Sequence, residues 1–349
     1  MARAANLDEY RRGKVTIREI AEIAGVSIAT VSRVVNGRGD VAPETRELVT
    51  RVIREHGYTT NRSARALSGG RTGLVGWAMP LVRADYFAAI LSGALEAVYE
   101  QELRMVLCTT LHEHDREVSL LERLADGTTD GGIILLPEES SNELVALQQS
   151  GFPFVVVDPR VPLDEGIPAV SAAHRAGAKA ATDHLLALGH RRIGHISGRA
   201  GWAATEERIE GYHGALAAAG VLPTSDLVAE GNYETPSGFA AANVLLDLPD
   251  PPTAIFAAND NMAAGVLRAA RERELSVPGE LSVVGFDDAE LATIVSPQLT
   301  TVRQPLAELG RTAVSLLTRM LERQRVEALR VELATKLVVR ETTGPPAER

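Results

Sequence analysis

The sequence has few of the features of an exported or membrane-spanning protein. It contains one cysteine, Cys108, in 349 residues, so an intramolecular disulfide is excluded. Cys108 lies in the apolar run MVLCTT and is expected to be buried on a strand. No apolar run approaches the roughly 20 residues of a membrane-spanning helix, and the charged segment 1–14 does not resemble a secretory signal. These absences predict a cytoplasmic protein that binds no membrane.

Common enzyme signatures are missing as well. The sequence has neither a GxxxxGK phosphate-binding loop nor a GxSxG nucleophile elbow. His112 and His114 stand in the polar segment HEHDRE, which is typical of a solvated loop and helix start. His184, His190 and His195 are not spaced to share a metal on one helix face. We therefore expect no enzyme activity, no cofactor and no metal, and turnover of a bound sugar would contradict this.

Charge is distributed unevenly along the chain. Residues 1–71 carry 13 Lys and Arg against 8 Asp and Glu, whereas the remaining residues carry 23 against 38. A basic segment attracts the DNA backbone and an acidic body repels it. Any contact with DNA is therefore expected to be confined to the first 71 residues.

Residues 15–37, VTIREIAEIAGVSIATVSRVVNG, predict two short helices joined by a tight turn. Thr16 and Glu19 form a capping-box pattern at the start of the first helix, and Gly25 is suited to its end. The first helix has an apolar stripe at helical spacing, made of Ile17, Ile20, Ala21 and Ala24. Ser27 then caps the second helix. Such a pair is a helix-turn-helix, although an ordinary helical hairpin with a surface arginine shows the same pattern.

The second helix exposes Ile28, Ala29 and Arg33 on the face opposite its buried residues. In a major groove, an arginine can donate both hydrogen bonds to a guanine, and small apolar side chains can contact a thymine methyl group. Residues 43–58 predict a third helix that closes a small core. Residues 61–68, followed by Ser-Gly-Gly, are too short and polar for a stable helix and predict a conditional helix in a linker.

After the linker, short apolar runs alternate with helical stretches. The runs are GLVGWAM, RMVLCTT, GGIILLP, FVVVD, RRIGHIS, TAIFAAND and LSVVGFDD. Continuous apolar runs of this length indicate strands that are buried on both faces of parallel sheets. A polar break near 162–168 divides them into two doubly wound lobes. Trp77, inside the first run, is expected in the core.

Polar side chains follow several of these strands. Pro80, Asp158, Asn259 and Asp287 stand at strand carboxyl ends, where ligands of such sheets bind. Arg208 opens a helix, and aromatic residues, only 4% of the chain, accompany these positions. Carboxylates and an arginine suit vicinal hydroxyls, and aromatic faces cover a sugar ring. The predicted effector-binding residues are Pro80, Tyr86, Phe87, Asp158, Trp202, Arg208, Tyr233, Asn259 and Asp287.

These motifs, in this order, resemble the transcription regulators of the lactose-repressor and purine-repressor family. The matching text is AGVSIATVSRVVNG, TRELV, GYTTNRSARAL, LLALGHRRIGHISG, ANDNMAAG, VVGFDD and LTTVRQPLAELG. The resemblance implies an α/β fold with a helix-turn-helix head, a hinge helix, and two parallel-sheet lobes of periplasmic-binding-protein type. It also implies that Leu67 inserts into the minor groove, where such insertion kinks DNA. The DNA-binding residues are thereby predicted as Thr16, Ser27, Ile28, Ala29, Thr30, Ser32, Arg33, Asn36, Tyr58, Asn61, Arg62, Ala64 and Leu67.

The resemblance also implies the domain organisation and the partners. The expected domains are a head at 1–60, a hinge at 61–71, one lobe at 72–168 plus 298–333, and a second lobe at 169–297 plus 334–343. The partners are a pseudo-palindromic operator and a second copy of the chain, because one head contacts only a half-site. The chain ends without a heptad tail, which favours a dimer.

The predicted function is a repressor whose operator affinity is controlled by a mono- or oligosaccharide between the lobes. A purine or nucleoside is the alternative effector, because aromatic side chains also stack on a base. A solute-binding protein with the same two lobes is a further alternative. The head and the absence of a signal sequence argue against it.

Overall fold

The computed structural model describes residues 15–35, 40–58, 71–82, 85–138 and 140–347. The chain divides into two compact units, Met1–Thr72 and Gly73–Arg349. In the described part of the chain, no helix combines the length and the apolar character needed to cross a bilayer.

The described residues of the first unit form three helices: α1 (Ile17–Ile23), α2 (Ile28–Val35) and α3 (Pro43–Glu55). The predicted capping box starts α1, since Glu19 N donates to Thr16 Oγ1 at 3.3 Å and Thr16 N donates to the Glu19 carboxylate at 2.6 Å. The three helices pack around Ile20, Val31 and Val49, which are fully buried. Each helix is too short to be stable alone, so this shared core holds the head together.

The described residues of the second unit form two six-stranded sheets. The first has the order β11-β5-β4-β3-β1-β2 and the second has the order β12-β10-β9-β8-β6-β7. All pairs are parallel except β10 with β12. The strands are β1 (Leu74–Met79), β2 (Arg104–Thr109), β3 (Gly131–Leu135), β4 (Phe154–Val157), β5 (Ala169–Ala172), β6 (Ile193–Ser197), β7 (Val228–Glu230), β8 (Ala254–Ala257), β9 (Ser282–Asp287), β10 (Thr300–Arg303), β11 (Arg330–Leu333) and β12 (Lys336–Val338).

Helices connect the parallel strands and pack against the sheets. They are α4 (Asp85–Glu100), α5 (His114–Arg123), α6 (Ser141–Gln149), α7 (His174–Ala187), α8 (Ala203–Ala218), α9 (Thr235–Leu246), α10 (Asp260–Glu272), α11 (Leu291–Ile294) and α12 (Leu306–Leu321). The central strands are buried on both faces, as their continuous apolar runs predict. The predicted fold, a three-helix head followed by two parallel-sheet α/β lobes, is confirmed.

The structure corrects the predicted lobe boundaries. Residues 169–172 form β5 of the first sheet, although we expected the second lobe to begin at 169. Residues 300–303 form β10 of the second sheet, although 298–333 was expected to belong to the first lobe. β5 hydrogen-bonds to β4 and β10 to β9, so the chain crosses between the lobes after β5, after β10 and again after β11. Cys108 is also corrected, because β2 is an edge strand and leaves this residue partly exposed.

Helix α12 returns to the first sheet and packs closely on α4. A Cβ added to Gly93 would lie 1.9 Å from the carbonyl oxygen of Ala307. A Cβ added to Gly310 would lie 2.0 Å from the carbonyl oxygen of Ile90. These glycines therefore set the distance between the two helices.

Gly93→Ala is expected to lower the free energy of unfolding by about 3 kcal/mol, because a methyl group there must push α12 away from α4. Gly214→Ala on α8 is the matched control, since its added Cβ would meet nothing within 4 Å. This control should stabilise the protein by about 0.5–1 kcal/mol through helix propensity. Urea unfolding followed by tryptophan emission measures both, and equal stabilities for the two variants would contradict the packing argument.

Candidate functional site

A cavity of about 320 Å³ opens at the carboxyl ends of strands from both sheets. The residues after β4 and β8 and the last residue of β9 contribute Asp158, Asn259 and Asp287 to its wall. The wall comprises Leu81, Asp85, Tyr86, Phe87, His112, Leu136, Asp158, Arg199, Trp202, Ala204, Arg208, Asn232, Tyr233, Glu234, Asn259, Asp260, Asn261, Asp287 and Ala289. Its position agrees with the general placement of ligands in parallel sheets.

The backbone has positive φ at five residues of this wall, which are His112, Leu136, Asp158, Tyr233 and Asp287. Asp158 has φ 51°, Tyr233 has φ 71° and Asp287 has φ 116°, and none of them is glycine. L-residues rarely adopt positive φ, and such strain is concentrated at functional sites. The surrounding structure therefore holds these side chains at a conformational cost.

A continuous chain of hydrogen bonds runs along the buried side of the cavity. Tyr86 Oη donates to one oxygen of Asp158, and His174 Nε2 lies 2.7 Å from the other. His174 Nδ1 lies 3.2 Å from Arg208 Nη2, and Arg208 Nη1 donates to the Ala258 carbonyl oxygen at 2.6 Å. A guanidinium can only donate, so His174 Nδ1 is the acceptor of this hydrogen bond. The ring proton is therefore on Nε2, which donates a hydrogen bond to Asp158.

This network keeps Asp158 ionised. Burial alone would raise the pKa of Asp158, but the His174 ring, the Tyr86 hydroxyl and Arg208 together outweigh it and hold that pKa below its usual value. Burial and Asp158 raise the pKa of Tyr86 well above its usual value, so its hydroxyl stays protonated and donates. The cavity therefore presents a desolvated carboxylate beside an arginine.

Asp287 and Asp260 form a second acidic group. Asp287 accepts from Gln304 Nε2 at 2.6 Å, and Asp260 accepts from Thr301 Oγ1 at 2.5 Å and Ala289 N at 2.8 Å. Burial raises the pKa of Asp287 to about 6, although Arg208 and Gln304 oppose the rise. Burial and the charge of Asp287 raise the pKa of Asp260 well above its usual value. Asp287 therefore changes its charge near neutral pH.

Aromatic side chains form another part of the wall. The rings of Trp202 and Tyr233 are stacked, with centroids 5.4 Å apart and planes inclined by 28°. Tyr233 Oη lies 2.6 Å from Thr205 Oγ1, which fixes the ring. These flat surfaces adjoin the charged groups, an arrangement that suits a ligand with both polar edges and apolar faces.

Eight of the nine predicted effector residues lie in the wall; their binding role stays a prediction. Pro80 is the exception, since it is not part of the wall and its carbonyl oxygen accepts from Leu111 N at 3.0 Å. Phe87 lines the cavity but is also buried in the core of the first sheet. The side chain of Asn259 already caps α10, because its Oδ1 accepts a hydrogen bond from Met262 N at 2.9 Å. Its Nδ2 donates to the Tyr233 carbonyl oxygen at 3.0 Å.

Sequence analysis missed His174 and Gln304. His174 follows β5 and starts α7, and Gln304 follows β10, so both stand at strand carboxyl ends. Neither strand was recognised, because AVSA and TTVR are short and only partly apolar. The strand-end rule would have found both residues if these strands had been identified.

The head exposes the face of α2 that was predicted to contact bases. Ile28, Ala29 and Arg33 are exposed, and Arg33 forms an ion pair with Asp40 at 3.4 Å. Thr16 caps α1, and the Ser27 hydroxyl accepts from Thr30 N at 3.1 Å. Ser32, Thr30 and Tyr58 are partly buried. The predicted DNA-binding residues Asn36, Asn61, Arg62, Ala64 and Leu67 lie outside the described residues.

Arg33→Ala is expected to lower discrimination between operator and unrelated DNA by about 1–3 kcal/mol, because a bidentate contact to guanine is lost. Non-specific binding should remain and should stay sensitive to salt. Arg51→Ala, which removes an exposed arginine of α3, is the control and should weaken binding to all sequences alike. Fluorescence anisotropy measures the affinities of both variants for a selected operator and for a scrambled duplex. If Arg33→Ala kept the wild-type ratio of these two affinities, the contact between Arg33 and a base would be refuted.

Family models match two parts of the chain. Residues 16–61 match the lacI family of bacterial regulatory proteins, and residues 182–343 match a periplasmic binding protein-like domain. Catabolite control protein A of Priestia megaterium is 33% identical over 330 residues, which cover 94% of this chain and 99% of that protein.

Two solved structures are similar over nearly the whole chain. A lac repressor dimer bound to operator and the anti-inducer ONPF is 30% identical, with 95% of this chain and 100% of that chain covered and a TM-score of 0.84. A complex of the transcriptional regulator CelR with cellobiose is 35% identical, with 94% and 100% covered and a TM-score of 0.73. By sequence, by fold and by the order of its domains, the chain belongs to the lacI family of bacterial transcription regulators, which are sequence-specific DNA-binding proteins and not enzymes.

Proposed function

We propose that this regulator is a cytoplasmic homodimeric repressor whose affinity for a pseudo-palindromic operator is controlled by an uncharged saccharide bound in the cavity. The observation that carries the proposal is the buried Asp158, Arg208 and Asp287 group beside the stacked rings of Trp202 and Tyr233. Carboxylates accept from neighbouring hydroxyl groups, the arginine donates, and the aromatic side chains give apolar surface for the C–H groups of a sugar beside these charges. The CelR complex contains cellobiose, which supports this class of ligand.

The charge of the wall favours a ligand without phosphate. Five carboxyl groups line the cavity, those of Asp85, Asp158, Glu234, Asp260 and Asp287, against the two arginines Arg199 and Arg208. An anionic ligand would enter a wall of the same sign and would lose its hydration there. The expected order of affinity is therefore free saccharide above its phosphate ester.

An exposed apolar face supports the homodimer. Leu95 and Tyr99 on α4 and Leu107 on β2 are exposed, Tyr99 to 85%, although large apolar side chains are usually buried. The similar lac repressor was solved as a dimer on its operator. Two heads are also needed to contact two half-sites. Binding of the ligand then changes the affinity for DNA, and binding of DNA changes the affinity for the ligand by the same factor.

The first experiment is a thermal-shift screen of the purified protein with glucose, ribose, cellobiose, glucose 6-phosphate, adenine and hypoxanthine. A ligand at 100 times its dissociation constant adds about 2.7 kcal/mol to stability, which raises the melting temperature measurably. Any ligand found is then added to a titration with an operator selected from random duplexes. A saccharide that stabilises the protein and changes its DNA affinity supports the proposal. Stabilisation by a nucleobase alone would refute the saccharide assignment.

Ligand affinity is expected to fall by up to about tenfold per pH unit below pH 6, because Asp287 must be ionised to accept two hydroxyl hydrogen bonds. Burial raises the pKa of this carboxyl to about 6, so it is ionised above that pH and takes up a proton below it. Isothermal titration between pH 7.5 and 5 measures the slope. Asp287→Asn should bind weakly and with a flat profile. A wild-type affinity that does not change over this range would contradict the role of Asp287.

A further inference from the structure

Arg160 lies in the loop after β4, and one side of its guanidinium is held by residues of the first sheet. Nη1 forms an ion pair with Glu138, which follows β3, and Nη2 lies 2.9 Å from His112 Nδ1. Glu138 is fixed in turn, since its backbone N donates at 2.9 Å to Glu117, a fully buried carboxylate of α5. The guanidinium is thus anchored to loop residues of the first lobe.

The other side of Arg160 contacts the start of α8, which belongs to the second sheet. The guanidinium carbon lies 4.2 Å from the centroid of the Trp202 ring, within the range of a cation–π interaction. The Arg160 carbonyl oxygen also accepts from Ala203 N at 2.6 Å. One residue therefore connects Glu138 of the first lobe to Trp202 of the second.

Arg160 is not part of the cavity wall, whereas Trp202 is. Its side chain is only 12% exposed, and among the described residues its Nε has no hydrogen-bond partner. Burying a guanidinium with an unsatisfied donor is costly, so the neighbouring groups must hold it in place. Arg160 is thus expected to act on the cavity through the Trp202 ring.

We propose that Arg160 is a positioning residue that fixes the Trp202 ring of the cavity wall and transmits occupation of the cavity to Glu138 on the first lobe. Movement of the ring on ligand binding changes its contact with the guanidinium, and the guanidinium is linked to the other lobe by its ion pair. The transmission of occupation rests on the proposed saccharide function. The positioning of Trp202 does not depend on it.

Acrylamide quenching of tryptophan emission tests the positioning without any ligand. Trp77 is fully buried, so the quencher reaches mainly Trp202, and the Trp202→Phe variant gives the background. Arg160→Leu should raise the quenching constant and shift the emission to longer wavelength, because the ring loses its cover. Glu138→Gln should also raise the quenching constant and shift the emission to longer wavelength, but by less. Arg160→Lys should have a quenching constant between those of the wild type and Arg160→Leu. Arg192→Leu, which removes ion pairs with Asp226 and Asp250, is the matched control and should change neither.

Equal quenching in wild type, Arg160→Leu and Glu138→Gln would overturn the positioning role. If Arg160→Leu fails to fold, Glu138→Gln and Arg160→Lys still decide the question. Titration with cellobiose then tests the transmission, and Arg160→Leu should bind up to about tenfold more weakly, because the released Trp202 ring must be ordered again when the ligand binds. Unchanged affinity for cellobiose would overturn the transmission. If the wild-type protein binds no saccharide, the proposed function fails while the quenching result still decides the position of Trp202.

Discussion

Arg208→Ala is expected to weaken ligand binding at least about 100-fold and to lower the free energy of unfolding by about 3 kcal/mol, because Asp158 and Asp287 lose the buried cation that offsets their charge and two buried acceptors lose their donor. Arg208 is almost fully buried and lies between the Asp158–His174 pair and Asp287. It also bonds the Ala258 carbonyl oxygen, which then loses a donor. Isothermal titration and urea unfolding followed by tryptophan emission measure the two effects.

The destabilisation by Arg208→Ala should depend on pH in a defined direction. Arg208 lowers the pKa of Asp287, so the variant takes up a proton on Asp287 at higher pH than the wild type. The destabilisation caused by the loss of the cation beside Asp287 is therefore largest at pH 7.5 and smaller at pH 5. Arg208→Lys keeps the charge but loses the planar fork, and it should recover stability more than ligand affinity. Wild-type ligand affinity in Arg208→Ala would show that the cavity is not the effector site.

The elements that the sequence predicts best are those with a strong local signal. The capping box of Thr16 and Glu19 and the apolar stripe around Ile20 define α1 without reference to any distant residue. Likewise, β3 and β4 are continuous apolar runs and were identified because both of their faces are buried. In each case the residues that determine the element lie within the element.

Two strands, β5 and β10, were not predicted from the sequence, and the two site residues that follow them were missed for the same reason. The strands β5 and β10 are only four residues long and partly polar, so their sequences do not show that they pair with β4 and β9. Without them, the first two crossings of the chain between the lobes were placed incorrectly, whereas the boundary predicted at 333/334 agrees with the crossing after β11. His174 and Gln304, which follow these two strands, were not recognised as neighbours of Asp158 and Asp287.

Other features depend on contacts that no local pattern contains. Arg160 is a loop arginine in the sequence, and its role follows only from the distances to Glu138 and Trp202. For Asn259, by contrast, the sequence indicated the position at a strand end. Its side-chain oxygen is already used to cap a helix, which only the structure shows. A strand-end rule therefore identifies the edge of the sheet at which ligands bind, and the geometry decides which side chains are available.

His195 in the middle of β6 gives the second large expected effect, which is on acid stability. Its ring is stacked on those of Tyr212 and Phe256, with centroids 5.1 Å and 4.8 Å away. Nδ1 donates to the Phe256 carbonyl oxygen at 2.9 Å, and Nε2 has no partner among the described residues. A second proton would place a buried charge on Nε2 without an acceptor. Burial therefore lowers the pKa of His195 from 6.5 to about 3.

This lowered pKa makes the folded state less stable in acid. Below pH 6.5 the unfolded chain takes up a proton on His195 and the folded chain does not, so stability is lost as the pH falls from 6.5 towards 3. The loss is about 2 kcal/mol by pH 5, since each unit corresponds to 1.36 kcal/mol. Both tryptophans lie in the second unit, so urea unfolding followed by their emission at pH 7 and pH 5 measures this loss.

His195→Phe keeps an aromatic ring between Tyr212 and Phe256 but cannot titrate. It should be about 1 kcal/mol less stable than the wild type at pH 7, because the hydrogen bond to the Phe256 carbonyl oxygen is lost. Its stability should then fall less steeply between pH 7 and pH 5. Burial also lowers the pKa of His184 and His190, so these residues supply part of the slope that remains. If the variant lost as much stability as the wild type over this range, a group other than His195 would have to carry the acid sensitivity.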